Sequence, residues 1–293
     1  MREVGLPRAL AAVCVLFLGW TCVCRYVVVG LLGGTDGNIE LLIAQEYGNA
    51  AIALLVLRRL PQARLLPLLG PAARGRGGRG GRGGAVRACA GCLALVVACC
   101  ALVLPALEGA MDRLGVSLSG SGVQGAIDSL TLSSLTPEGA AVDLPSFPSA
   151  YLRVAGAAYR HACDGVAIFG LAFLAPVWEE LVFRGTLMRA VLSRLSAGRA
   201  AGGPRRLAAS VLASAAVFAA MHLDDSVGTF IAHVSIGCVL GAAYALASWL
   251  AAGLGEAEKR GGGAPAAVAI AVPIAIHAVW NLRCSAFEIL SAT

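Results

Sequence analysis

In residues 179–185 the chain reads Glu179-Glu180-Leu181-Val182-Phe183-Arg184-Gly185, directly after the apolar stretch 166–177. A carboxylate inside a bilayer costs about 3 kcal/mol or more, so ionisable residues that remain there mark functional sites. On a helix Glu180 and Arg184 are four residues apart and can pair, whereas Glu179 lies about 100° around the axis. The segment predicts one glutamate held by the arginine and a second glutamate available for chemistry. The alternative is that both glutamates mark a helix end at the membrane interface.

The composition is that of a polytopic membrane protein. Of the 293 residues, 58% are hydrophobic and only 14% are charged, against about a quarter charged in soluble domains. Seven apolar stretches approach or exceed the roughly 17–25 residues that a spanning helix needs. They are 9–33, 40–57, 88–109, 163–192, 207–223, 227–252 and 265–290. The predicted fold is an all-α transmembrane helical bundle with six to eight spans.

The chain divides near residue 147. Residues 1–147 hold N-terminal transmembrane segments, an Arg/Gly-rich loop at about 70–86 and a polar loop at about 110–147. The Arg/Gly-rich loop has too little apolar surface to fold, and we expect it to be disordered. Its arginines place it on the cytoplasmic side of the membrane, or in the stroma of a plastid. Residues 148–293 carry the polar motifs and open with an amphipathic helix along the interface.

Two further polar constellations lie in separate apolar stretches. His222 ends the stretch 207–221, and His277 and Asn281 share one helix face in the last stretch because they are four residues apart. A single histidine in such a helix is more often bonded to a carbonyl than used in chemistry. Here, however, two of the four histidines join a Glu pair, an arginine and an asparagine in apolar surroundings, where each needs a partner. The pattern therefore indicates one shared site.

These residue types fit peptide-bond hydrolysis. A carboxylate and an imidazole can activate a water, while a second imidazole and a carboxamide can donate hydrogen bonds to the oxyanion. The same set could bind Zn²⁺ through Glu179, His222 and His277. The compact H-E-x-x-H spacing is absent, so a metal would have to be held from three spans. The sequence leaves a zinc ion and a metal-free mechanism both open.

Together the three motifs resemble those of the CPBP family, which includes the type II CAAX prenyl endopeptidases and is also called the ABI family. The resemblance covers about residues 148–290 and rests on the string 175–185, on Phe218-x-x-x-His222 and on His277-x-x-x-Asn281. It implies a multi-helix intramembrane protease core at 148–293. The implied roles are Glu179 as the water-activating base, Glu180 and Arg184 as supporting residues, His222 as the partner of Glu179, and His277 with Asn281 at the oxyanion.

The expected function is an intramembrane endopeptidase that cuts near the membrane surface, in a protein or in a prenylated CAAX-type peptide. Its expected partners are the lipid bilayer and this substrate, with no nucleic acid. The alternative is a transporter or scaffold that uses the same buried polar cluster without proteolysis. The lack of an internal repeat counts against a transporter. The multi-pass chain could lie in the endoplasmic reticulum, a plastid or a bacterial inner membrane.

Two structural expectations follow from the motifs. A straight helix from residue 162 would place Glu180 about 25 Å from one surface, which is about 17 Å away from His222 in a bilayer core of ordinary thickness. The sequence therefore predicts that the helix breaks at Pro176. His233, Gly237 and Gly241 follow one another at intervals of four residues, a spacing that favours close helix packing. For His233 itself both a packing role and a place in the site cavity stay open.

Overall fold

Every described element of the fold is a helix. The computed structural model describes residues 6–15, 39–59, 82–114, 165–166, 168–197, 203–222, 227–252 and 264–291, and no strand occurs among them. The α-helices are α1 (Leu6–Cys14), α2 (Ile39–Arg59), α3 (Arg82–Ala98), α4 (Leu104–Arg113), α5 (Ala175–Val182), α6 (Arg189–Ser196), α7 (Pro204–Met221), α8 (Val227–Ala252) and α9 (Ala264–Ser291). Three π-helical segments are π1 (Cys99–Val103), π2 (Gly170–Leu174) and π3 (Phe183–Met188). The all-α fold class is confirmed for these residues.

Two of the described helices are long and apolar enough to cross a membrane. They cover Val86–Met111, which includes most of α3, all of π1 and most of α4, and Val227–Ala251 in α8. A shorter apolar helix covers Ala267–Arg283. Large apolar side chains also face outward, among them Leu93, Leu102 and Trp249, as expected for a lipid-facing surface. The predicted six to eight spans are not confirmed and stay a prediction.

Several predicted features fall partly or wholly outside the described residues. These are most of the first apolar stretch, the bulk of both loops and the amphipathic helix after residue 148. At two loop edges the prediction was wrong. Residues 82–86 open α3, and α4 continues to Arg113, because the apolar residues that follow or precede these edges extend the helix over a few Gly, Arg and Asp residues.

The packing of the helices brings both parts of the chain together. α7 packs against α8 and α8 against α9, while α3 lies against α8 and α9. α2 packs against π2 and α5, so the segment that carries the two glutamates is covered by an N-terminal helix. The buried cluster between these helices includes Phe183, Phe218, Ile236 and Tyr244.

The close packing of α8 is confirmed at both glycines. A Cβ atom on Gly237 would lie 3.1 Å from the backbone Cα of Ala215, and one on Gly241 would lie 2.9 Å from Cγ1 of Val211. Real Cβ atoms rarely approach other atoms so closely. α7 can therefore reach α8 only because these positions lack side chains.

The predicted break at Pro176 was wrong. Residues 168–196 are helical throughout, and Leu174 and Ala175 have right-handed helical dihedrals. Instead of a break, the wider turn of π2 ends at Leu174, two residues before Pro176, and the Ala175 N–H bonds the Gly170 carbonyl five residues back. A π-turn accommodates a proline within a helix, because the ring no longer meets a regular ladder of bonds. A break would be needed only if these α-helices were straight and perpendicular to the bilayer.

We predict that Gly237→Ala destabilises the protein by about 1–3 kcal/mol, because the added methyl group would push the α7 backbone away. Thermal unfolding in detergent measures the effect. Gly91→Ala is the matched control, since its Cβ would meet Leu250 only at an ordinary 3.4 Å and alanine favours a helix over glycine by about 0.5–1 kcal/mol. Equal melting temperatures for the two variants would contradict the close contact of α7 and α8.

Candidate functional site

The ionisable side chains of α5 and the adjoining turn are buried at the centre of the helix bundle. Glu180 and Arg184 are fully buried, and Glu179 and His277 are only 7% and 4% exposed. Glu179 and Glu180 come from α5, Arg184 from π3 and His277 from α9. Because charged groups are seldom buried without partners, the contacts of each side chain define the site.

Glu180 is the paired glutamate, as predicted. Its Oε1 lies 3.0 Å from Nη1 of Arg184. The arginine also donates a hydrogen bond of 3.0 Å from Nη2 to the Gly237 carbonyl of α8. Its guanidinium lies over the Phe218 ring, 4.9 Å from the centroid, a distance at which cation–π attraction contributes. Arg184 thus ties α5 to both α7 and α8.

His277 stands between the two glutamates. Its Nδ1 lies 3.0 Å from Oε1 of Glu180, to which it donates a hydrogen bond, and its Nε2 lies 3.8 Å from Oε2 of Glu179. A carboxylate on one ring nitrogen fixes the orientation and tautomer of an imidazole. In the neutral ring the basic lone pair is then on Nε2, the nitrogen that faces Glu179. A separation of 3.8 Å is one that a water molecule can bridge.

Glu179 is the less engaged of the two glutamates. Its Oε2 is buried and has no hydrogen-bond partner within the described part of the chain. A buried acceptor without a partner is costly unless it serves a reactant, a water or a ligand. The use of Glu179 in chemistry stays a prediction.

His222 lies in the same cluster, beside Phe218. Its Nδ1 donates to the Phe218 carbonyl at 2.9 Å, and its ring stacks on that of His233 with centroids 4.1 Å apart. The Phe218 centroid lies 4.5 Å from that of His222 and 5.9 Å from that of His277. The motif histidines are therefore brought together around one phenylalanine, and His233 joins them.

Asn281 is one turn beyond His277 on α9, and its amide points to π2. Its Nδ2 donates a hydrogen bond of 2.9 Å to the Leu171 carbonyl. His277 and Asn281 share a helix face, as predicted, but they make different contacts. His277 contacts the glutamates, and Asn281 contacts the backbone before Pro176.

Sequence reasoning missed a third carboxylate beside the site. Glu46 of α2 is 7% exposed, its side chain interacts with that of Trp178, and its charge acts on Glu179. Oε2 of Glu46 and Oδ1 of Asn49, one helical turn away, are buried without hydrogen-bond partners in the described structure. A usable signal was present, since Glu46 and Asn49 are polar residues three apart in an apolar stretch.

The residues proposed as zinc ligands do not form a ready metal site. Among the described residues, no group of three or more His, Cys, Asp or Glu side chains is arranged to hold a metal ion. His277 directs one nitrogen to Glu180, and His222 bonds a backbone carbonyl. We therefore derive no step through a metal.

Comparison with known proteins finds one family that the segment carrying these contacts resembles. Residues 164–283 match the family model described as type II CAAX prenyl endopeptidase Rce1-like. This segment is similar to that family, and the match covers less than half of the chain. The match extends to Arg283 and includes all three motifs, so the recognition from the motifs is confirmed. No curated protein and no solved structure matched the chain.

The buried ion pair of Glu180 and Arg184 can be tested by removing its cation. We predict that Arg184→Met costs about 3–5 kcal/mol, because it leaves the Glu180 carboxylate buried without its cation. Adding Glu180→Gln should recover part of this loss, since the uncompensated charge is removed. Thermal unfolding in detergent measures both variants.

Arg113→Met is the control, since Arg113 is exposed and, within the part of the chain that the structure describes, donates to the Gly109 carbonyl of its own helix. A double variant no more stable than Arg184→Met would show that the loss comes from packing rather than from charge.

Proposed function

We propose that this chain is a membrane-embedded endopeptidase that hydrolyses a peptide bond in prenylated CAAX-type proteins. The family match supports a CAAX endopeptidase and a protein or prenylated-peptide substrate. The observation that carries the mechanism is the position of His277, with Nδ1 on Glu180 and Nε2 facing Glu179. The family match does not favour the alternative of a transporter or scaffold.

Glu179 and His277 are the pair that we propose activates water. A water between Glu179 Oε2 and His277 Nε2 gives one proton to Glu179 as its oxygen attacks the carbonyl carbon of the scissile bond. The new C–O bond converts the carbonyl oxygen to an oxyanion. When the tetrahedral intermediate collapses, the C–N bond breaks and the amine leaves with the proton that Glu179 had taken. A positioned acid–base group of this kind contributes about 10²–10⁴-fold to the rate.

We propose that Glu180 and Arg184 support this chemistry without contacting the substrate. The carboxylate of Glu180 holds His277 in one tautomer and orientation, as a buried acid does for a catalytic histidine. Arg184 compensates the charge of Glu180 and fixes it against α8. The buried environment strengthens each of these interactions because water does not screen them.

The roles of His222 and Asn281 are less direct in this proposal than the motifs suggested. The proposed partnership of His222 with Glu179 would use Nε2 of the imidazole, because Nδ1 bonds the Phe218 carbonyl. The proposed oxyanion contacts of His277 and Asn281 would require each to share or exchange a present hydrogen bond.

The test of the function is cleavage of a farnesylated CAAX peptide by the purified protein. We expect release of the C-terminal tripeptide, and we expect Glu179→Gln to lower kcat by roughly 10²-fold or more, since the amide cannot take a proton. The fold of that variant should persist, which its melting temperature checks. Wild-type activity that Glu179→Gln leaves intact would eliminate the mechanism.

The same assay with a metal chelator tests whether cleavage depends on Zn²⁺. We expect activity to survive prolonged chelation, in line with the dispersed donor set. Loss of activity on chelation and its return with added Zn²⁺ would show that His222, His277 and Glu179 rearrange around a metal.

A second prediction concerns Glu46, which lies outside the matched segment. We expect Glu46→Ala to lower kcat severalfold with little change in KM, because it opens a cavity beside Trp178 and alters the charge next to Glu179. Glu108→Ala is the matched control, because Glu108 is a half-buried carboxylate that pairs with Arg283 at 2.7 Å. Equal, small losses in both variants would mean that α2 only covers the site.

A further inference from the structure

The Leu171 carbonyl has lost both hydrogen-bond donors that a helix could offer it. In an α-helix the donor would be the N–H of Ala175, but this N–H bonds the Gly170 carbonyl. In a π-helix the donor would come from residue 176, which is a proline without an N–H. A buried carbonyl without a donor costs as much as a lost hydrogen bond. The combination of π2 and Pro176 therefore creates a specific demand for a donor.

Asn281 meets that demand from another helix. Its Nδ2 donates to the Leu171 carbonyl at 2.9 Å, across 110 residues of sequence. The bond attaches α9 to the last turn before Pro176. Glu179 and Glu180 follow that proline by three and four residues, so they project from the first turns of the helix that Asn281 holds.

The same arrangement occurs a second time in the molecule. π1 is followed by Leu104 and Pro105 as π2 is followed by Ala175 and Pro176, and the Leu104 N–H bonds the Cys99 carbonyl five residues back. The carbonyl left without a helix donor is that of Cys100. Arg283 of α9, two residues after Asn281, donates to it from Nη1 at 3.4 Å. The repetition indicates that a polar side chain of α9 compensates each proline.

We propose that Asn281 is a positioning residue: its amide holds the carbonyl that Pro176 leaves without a donor and so fixes the α5 turns that present Glu179 and Glu180. This inference rests on the proposed function for its effect on rate, but not for the capping itself. It differs from the oxyanion role implied by the family resemblance, in which the amide would contact the substrate. A displacement of about 1 Å in a reacting group can cost 10²-fold in rate, so such a cap matters for catalysis.

A double-mutant cycle in thermal stability tests the capping without any substrate. Asn281→Ala should lower the melting temperature in the wild-type background. It should do so much less in a Pro176→Ala background, because residue 176 or residue 175 then supplies the missing N–H to Leu171. The matched control combines Asn281→Ala with Pro105→Ala, two changes at different carbonyls, which should be additive. Additive losses for Asn281 and Pro176 as well would overturn the proposal.

The same variants in the peptide-cleavage assay separate positioning from oxyanion binding. Asn281→Ala should lower kcat by roughly 10- to 100-fold with little change in KM, and Pro176→Ala should restore much of the loss. An oxyanion donor cannot be replaced by a backbone N–H at residue 176. Coupling in stability without any rescue of kcat would therefore assign Asn281 to the oxyanion and reject the positioning role.

Two cases need a separate interpretation or variant. If wild-type protein does not cleave the peptide, the proposed function fails, while the stability cycle still decides the capping. If Pro176→Ala does not fold, Pro176→Val replaces it, since valine restores an N–H with nearly the volume of proline.

Discussion

The carboxylate of Glu180 is the group on which the site depends. It is fully buried, and its Oε1 faces both Arg184 and His277 at 3.0 Å. A buried carboxylate is tolerable only when its partners offset the lost hydration. These partners come from π3 and α9, so both segments must pack next to α5. Arg184 also connects this group to α8, because it donates a hydrogen bond to the Gly237 carbonyl.

A second constraint comes from the backbone. Prolines at 105 and 176 each follow a π-segment, and each leaves a carbonyl that the helix itself cannot satisfy. Water is scarce in a membrane interior, so the donor has to come from protein. α9 supplies it twice, with Asn281 and Arg283. Polar residues of α9 thus have two functions. His277 binds the buried carboxylate of Glu180, while Asn281 and Arg283 donate to the carbonyls of Leu171 and Cys100.

The parts of the site that were predictable from sequence are those set by local spacing. The pairing of Glu180 with Arg184 follows from an interval of four residues, and the close packing at Gly237 and Gly241 follows in the same way. The bond between His277 and Glu180 spans 97 residues and depends on how three helices cross, which no periodicity encodes. Pro176 was misjudged because a proline in a helix has two outcomes, a break or a π-turn. In this buried helix the π-turn is stabilised by Asn281 of α9, which donates to the carbonyl that the π-turn and the proline leave without a donor.

Glu46 and Arg283 show that the physical unit around the site is larger than the segment that matches the family. Glu46 lies 118 positions before the first matched residue, yet its charge acts on Glu179 and its side chain interacts with Trp178. Arg283, the last matched residue, is held by Glu108 of α4 at 2.7 Å. Removing residues 1–147 would therefore expose α5 where α2 covers it and would leave Arg283 without its carboxylate. A division of the chain at residue 147 describes where the motifs lie, whereas burial of the glutamates requires helices from both sides of that division.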